Sequence, residues 1–191
     1  MIDSTYYGTI DEANAYFAGR LHATAWTCAD PADWPKALLA ASRIIDKLNY
    51  KGHKATVWAL LKQYLGTEWF PRNWPYITTD SWPYRPSRED LEAAELSQPL
   101  KFPRGSDTVV PEAIRQACYE IAFNLLDGRD PEIELEAMAI NHQAYGSVQT
   151  TYSRDQVPLE HIINGVPSIV AWRLIRPFLR PADEIKLSRV S

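Results

Sequence analysis

The sequence predicts a mainly α protein: a helical bundle with one β-hairpin and a long Trp/Pro-rich insertion. Three observations carry that prediction. Between residues 110 and 137, Ile114, Ala117, Cys118, Ile121, Ala122 and Leu125 recur at i, i+3, i+4, i+7, i+8 and i+11, a continuous apolar stripe on the helical period. A second stripe runs through Ala37, Leu38, Ala41, Ile44, Ile45 and Leu48. From 55 to 98 the character changes, and Pro71, Pro75, Pro83 and Pro86 exclude a continuous helix or a central strand.

Each element has its own local signal. Thr9-Ile10-Asp11-Glu12 is a capping box, followed at helical spacing by Ala13, Tyr16, Phe17 and Leu21. Asp30-Pro31 to Asp33-Trp34-Pro35 is a loop and helix start, and Tyr50-Lys51-Gly52 ends the helix it begins. Val57, Trp58, Leu61 and Leu65 predict a short helix, and Ser87 caps an acidic one reaching Leu96. Pro111 suits a first helical position, and Gly128 a left-handed C-terminal cap. Asp130-Pro131 then restarts a helix whose first turns carry Glu132, Glu134 and Glu136, where the helix dipole favours anions. Val148, Thr150 and Tyr152 alternate on a period of two after the turn signal Tyr145-Gly146-Ser147, which predicts the hairpin. A short helix from Pro158 to Asn164 is closed by Gly165. Another opens at Pro167 with Ile169, Val170, Trp172 and Ile175, and Pro177 breaks it. Residues 177–191 read as an extended tail.

At 191 residues the chain is read as a single domain, 1–191, with 55–98 inserted, large enough to bury a core without disulfides or metal. A net charge of −4 argues against a general nucleic-acid binder. Cys28 and Cys118 form no disulfide framework, and Cys118 lies on the apolar stripe, so a reducing compartment is the simpler expectation. No signal peptide or membrane span is expected, which makes this a soluble, intracellular-type protein.

The chain lacks phosphate-binding, zinc-protease and nucleophile-elbow motifs. His22, His53, His142 and His161 are scattered, with no second ligand at metal spacing. The carboxylates from Asp127 to Glu136 enter a helix rather than an alternating Ca²⁺ loop, so a solvated acidic helix start is the simpler reading. No cofactor and no catalytic residue is expected. A hydrolase with residues dispersed along the chain stays as a minor alternative.

The insertion is the richer signal. Trp69, Phe70, Trp74, Tyr76, Trp82 and Tyr84 interleave with Arg72, Arg85 and Arg88. Trp, Tyr and Arg dominate binding hot spots, so a subunit or tail interface formed by Trp69, Phe70, Arg72, Trp74, Tyr76, Trp82 and Tyr84 is one reading. A stacking platform for single-stranded DNA is another, though Glu89, Asp90, Glu92 and Glu95 would repel phosphates. Packing of the aromatics onto the chain's own core is the third. The C-terminal tail is basic, with Arg173, Arg176, Arg180, Lys186 and Arg189 against Asp183 and Glu184. Its alternating Ile185, Leu187 and Val190 would suit adding an arm to a partner.

Several segments together resemble a known family. They are Tyr7-Gly-Thr-x-Asp-Glu-Ala-x-Ala-Tyr-Phe17, Ala40-x-x-Arg-Ile-Ile-Asp-x-Leu-Asn-Tyr-Lys-Gly52 and Leu100-x-Phe-Pro-Arg104. Val110-Pro-x-x-Ile-x-x-Ala-Cys-Tyr-Glu-Ile-Ala122, Leu126-Asp-Gly-x-Asp-Pro-Glu132 and Leu187-Ser-Arg-Val-Ser191 follow. In order and spacing these are similar to the head–tail connector (adaptor) proteins of tailed bacteriophages, some of which carry a DnaT-like single-stranded-DNA-binding label. The resemblance spans roughly 6–54 and 99–191; the insertion is longer than the family pattern.

The resemblance implies a virion protein, assembled in the host cytoplasm, whose copies form a twelve-fold ring between the portal protein and a tail or nozzle protein. Genomic DNA would pass through the ring without specific binding, and no membrane is involved. The tail would dock on the portal through Arg176, Phe178, Arg180, Ile185, Lys186, Leu187, Arg189 and Val190. Asp130, Glu132, Glu134 and Glu136 would line the channel, where carboxylates avoid sticking to DNA.

Overall fold

Helix starts and stops follow the local chemistry. The Thr9 hydroxyl accepts from the Glu12 N–H while the Glu12 carboxylate accepts from the Thr9 N–H, so the capping box opens α1 (Ile10–Ala18). Ser87 and Asp90 make the same reciprocal pair at the start of α5 (Arg88–Leu96). Gly128, at φ 79°, closes α6 (Glu112–Leu126). Its N–H donates to the Leu125 carbonyl and the Arg129 N–H to that of Asn124, a geometry that needs a left-handed residue. The Asp130 carboxylate then accepts from the Glu132 N–H and opens α7 (Pro131–Ala139).

The computed structural model describes residues 6–65, 86–139, 142–145, 148–151 and 160–181. It is mainly helical. The remaining helices are α2 (Thr24–Thr27), α3 (Trp34–Lys47), α4 (Ala55–Leu65), α8 (Glu160–Ile163) and α9 (Ile169–Ile175), with a 3-10 turn at Arg176–Phe178. Strands β1 (His142–Tyr145) and β2 (Val148–Thr151) pair antiparallel, Tyr145 opposite Val148 and His142 opposite Thr151. The turn at 146–147 and Tyr152 lie outside the described residues. Among the described residues no helix is long and apolar enough to cross a membrane.

Two compact units are present: residues 1–47 with 113–175, and 48–112 with 176–191. In the first, the stripe of α3 (Ala37, Leu38, Ala41, Ile45) and that of α6 (Ile114, Ala117, Cys118, Ile121, Ala122) are buried, as the periodicity requires. Ala13 and Phe17 of α1 and Ala171, Trp172 and Ile175 of α9 complete this core. A column of rings joins α1, α2, α3 and α6: Trp34 stacks on Trp26, Trp26 on Phe17, and Phe17 on Phe123, at 5.6, 4.9 and 5.6 Å. Such pairs add about 0.5–1.5 kcal/mol each beyond area burial.

In the second unit Phe102 is the centre, edge-on to Tyr50 at 4.7 Å and to Phe178 at 5.6 Å. Arg104 lies over Tyr50 and donates to the carbonyls of Lys51 and Gly52. Lys54 Nζ donates to the carbonyls of Glu95 and Gln98, closing the C-terminal end of α5. The Leu100–Arg104 segment is therefore packed within this unit against Tyr50–Gly52.

Two expectations need correction, and one short element was not foreseen. Leu21 does not extend the α1 stripe: the helix stops at Gly19 and Leu21 is 84% exposed. The segment before Asp30, to which the sequence assigned no element, contains α2 with Trp26 buried. The C-terminal tail does not begin at Pro177. Phe178 packs on Phe102, Leu179 bridges Tyr50, and the Arg180 N–H donates to the Asn49 carbonyl.

Gly8, at φ 80°, lies against the Tyr119 ring, and a Cβ placed there would fall 2.0 Å from the Tyr119 hydroxyl oxygen. Gly8→Ala should therefore lower stability by roughly 2–4 kcal/mol, combining backbone strain with displacement of Tyr119. Urea unfolding measures this, and a loss under about 0.5 kcal/mol, as at a neutral surface site, would contradict the packing.

Candidate functional site

The polar residues of the first unit gather where α1 meets α6. Glu12 accepts from the Arg115 guanidinium and, on its other oxygen, from the Tyr119 hydroxyl at 3.0 Å. One turn further along α1, the Tyr16 hydroxyl donates to Glu120 Oε1 at 2.7 Å, and just past the end of the helix Arg20 Nη1 donates to the same oxygen at 2.6 Å. Glu12 thus meets Arg115 and Tyr119 of α6, and Tyr16 and Arg20 meet Glu120, a ladder in which each carboxylate faces a guanidinium and a phenol.

Glu120 is 2% exposed. Its Oε2 has no hydrogen-bond partner among the described residues, so the carboxylate depends on Tyr16 and Arg20. The Arg20 guanidinium also lies 4.7 Å from the Phe123 ring centroid, at the end of the aromatic column. Burial, then the hydrogen bond to the Glu120 carboxylate, pushes the Tyr16 phenol up to about 12. Burial pushes the Glu12 carboxyl upward, but Tyr119, Arg115 and Thr9 more than offset it and hold it below the usual carboxylate value. Burial likewise raises the Cys118 thiol to about 12, which leaves it an inert core residue. Among the described residues of this cluster, no activated nucleophile sits beside a base. Among the described residues no group of three His, Cys, Asp or Glu is placed to hold a metal ion.

The second feature is the elbow between α6 and α7. A groove of about 460 Å³ opens there, where Lys47, Leu125 and Arg129 face Asp130 and Asn164. Arg129 is within 3.6 Å of Asp127, so the charges at its rim partly satisfy one another. Of the expected channel-lining residues, Asp130, Glu132 and Glu136 are exposed and Glu134 is half-buried. Ile133 and Leu135 of the same helix are 64% and 44% exposed, so this is not a purely acidic face.

The remaining predicted residues divide between the described and undescribed segments. Arg176 is exposed at the 3-10 turn, Phe178 is half-buried against Phe102, and Arg180 is held by its backbone to Asn49. Ile185, Lys186, Leu187, Arg189 and Val190 lie outside the described residues, as do Trp69, Phe70, Arg72, Trp74, Tyr76, Trp82 and Tyr84. Sequence reasoning missed the α1–α6 ladder. The available signal was Glu12 and Tyr16 at i and i+4 on one face of α1, with Arg20 close behind its end.

No protein family, curated protein or solved structure matches this chain. The fold and the described site define a class only: a mainly helical protein whose buried polar groups join helix to helix.

Two measurements probe the ladder. Arg20→Met keeps an apolar stem against Phe123 but strips Glu120 of its cation, and should cost roughly 2–4 kcal/mol; a cost under about 0.5 kcal/mol would show that the pair is dispensable. The second concerns alkaline pH. An unfolded Tyr16 ionises near the ordinary value of 10.0, whereas the folded phenol holds its proton to about 12. Stability from this group is therefore fully present below pH 10 and is lost as pH rises through the folded value. Tyr16→Phe should flatten the fall in stability over that window, and an unchanged alkaline limb would rule the coupling out.

Proposed function

We propose that the chain is a structural protein of the tailed-phage virion, one protomer of a ring adaptor between portal and tail that extends the DNA channel. In this reading it is a helical bundle carrying a β-hairpin and an aromatic insertion, and it is not an enzyme. What supports the reading is where the residues of the resembling motifs go. Thr9 and Glu12 cap α1, Arg104 clamps Lys51 and Gly52, and Gly128 with Asp130 shapes the elbow. Tyr119 and Glu120 join α6 to α1. These groups spend their hydrogen bonds on the backbone and on one another, as the parts of a scaffold do. The portal contact is assigned to the segment after Pro181, since Phe178 and Leu179 are occupied within the second unit.

A chain ending at Pro181 should keep the helix content and thermal transition of the full chain, yet fail to join filled, tailless heads to tails in a reconstitution assay. Infectious particles at the full-length titre would dismiss portal docking through this segment.

A further inference from the structure

Two helices of the first unit carry exposed faces that match each other. At 100° per residue, Leu135, Glu132, Glu136 and Ile133 lie in that order over an arc of about 160° around α7, with Ala139 between the first two, so a pair of carboxylates lies between two aliphatic side chains. All four are exposed, and no ion pair engages Glu132 or Glu136 among the described residues. On α9 the buried face is Ala171, Trp172 and Ile175. The opposite face places Arg173 between Ile169 and Val170, which are 42% and 43% exposed. Arg173 likewise has no ion pair among the described residues. One surface is aliphatic with an acidic centre, and the other is aliphatic with a basic centre. A guanidinium can serve two carboxylates one helical turn apart.

We infer that these two faces are the halves of one heterologous interface: α7 of one copy docks on α9 of the next. The occupant of each face is a second copy of this chain. Two different complementary patches on one protomer propagate head to tail, and they close a ring when the rotation permits. An isologous pairing of α7 with α7 would set Glu132 and Glu136 against their own copies and repel. Exposed Ile133 and Leu135 also suit a protein contact better than a water-filled lumen, so Glu132 and Glu136 are assigned here to the subunit contact rather than to the channel wall. The inference deepens the ring reading and rests on it for its setting, but its test does not involve phage assembly.

The test is site-directed cross-linking of the full chain in a Cys28→Ser background, because Cys28 is exposed while Cys118 is buried. Ile133→Cys and Val170→Cys together, treated with a short bismaleimide at high protein concentration, should give a ladder of dimers, trimers and higher species. Each single variant alone should remain monomeric, and an equal mixture of the two should stop at dimer. Glu132→Lys with Glu136→Lys in the doubly substituted chain should reduce the ladder at least tenfold, and adding Arg173→Glu should restore it. Far-UV circular dichroism checks that each variant folds as the parent does. Absence of the ladder, dimers from Ile133→Cys alone, or a ladder indifferent to charge reversal would each overturn the inference. A ladder that obeys charge reversal, in a protein that does not join heads to tails, supports the interface and rejects the adaptor reading.

Discussion

The ion pair of Arg20 with Glu120 is the constraint around which the first unit is built. A carboxylate almost wholly removed from water is costly unless donors reach it, and its two donors are Tyr16 on α1 and Arg20 just past the end of that helix. That requirement fixes how α1 lies along α6. A slide of one residue would leave Glu120 unpaired and bring Glu12 out of reach of Arg115 and Tyr119. The apolar contacts alone would not be so selective, since Ala13, Ala117 and Ala122 offer smooth surfaces that tolerate several registers. The aromatic column then extends the same alignment to α2 and α3, because Phe17 must stack with both Trp26 and Phe123.

The second unit uses a different device for the same end. One of its cross-braces is Arg104, whose guanidinium spans the backbone carbonyls of Lys51 and Gly52 while covering Tyr50 and Phe102. Backbone carbonyls in a loop need donors, and a planar fork with five N–H groups supplies them where helix or sheet does not. The same carbonyl-closing logic places Lys54 at the end of α5. Both units therefore rely on long cationic side chains as cross-braces between segments far apart in sequence.

Among the described residues, aliphatic and charged side chains also remain on the open surface. The proposed adaptor role and the inferred α7–α9 contact both draw on that surface, where charge of opposite sign is set between aliphatic side chains on two short helices. Interfaces of this composition depend on charge for register and on the aliphatic flanks for affinity.

From the sequence by itself came the local structure: the caps at Thr9 and Ser87, the stop at Gly128, the restart at Asp130-Pro131, and the buried stripes of α3 and α6. These are decided within a turn or two of chain, by hydrogen bonds to neighbouring backbone and by the helical period, and so they are visible in one dimension. The burial of Glu120, the ladder to Tyr16 and Arg20, the seat of Phe178 on Phe102 and the exposure of Ile133 and Leu135 were decided only in the tertiary structure. Each depends on a partner about a hundred residues away, or on the lack of an apolar neighbour over a helix face, and no spacing along the chain encodes either. A glutamate beside an apolar stripe looks like a solvent-facing residue until another helix brings an arginine and a tyrosine to meet it.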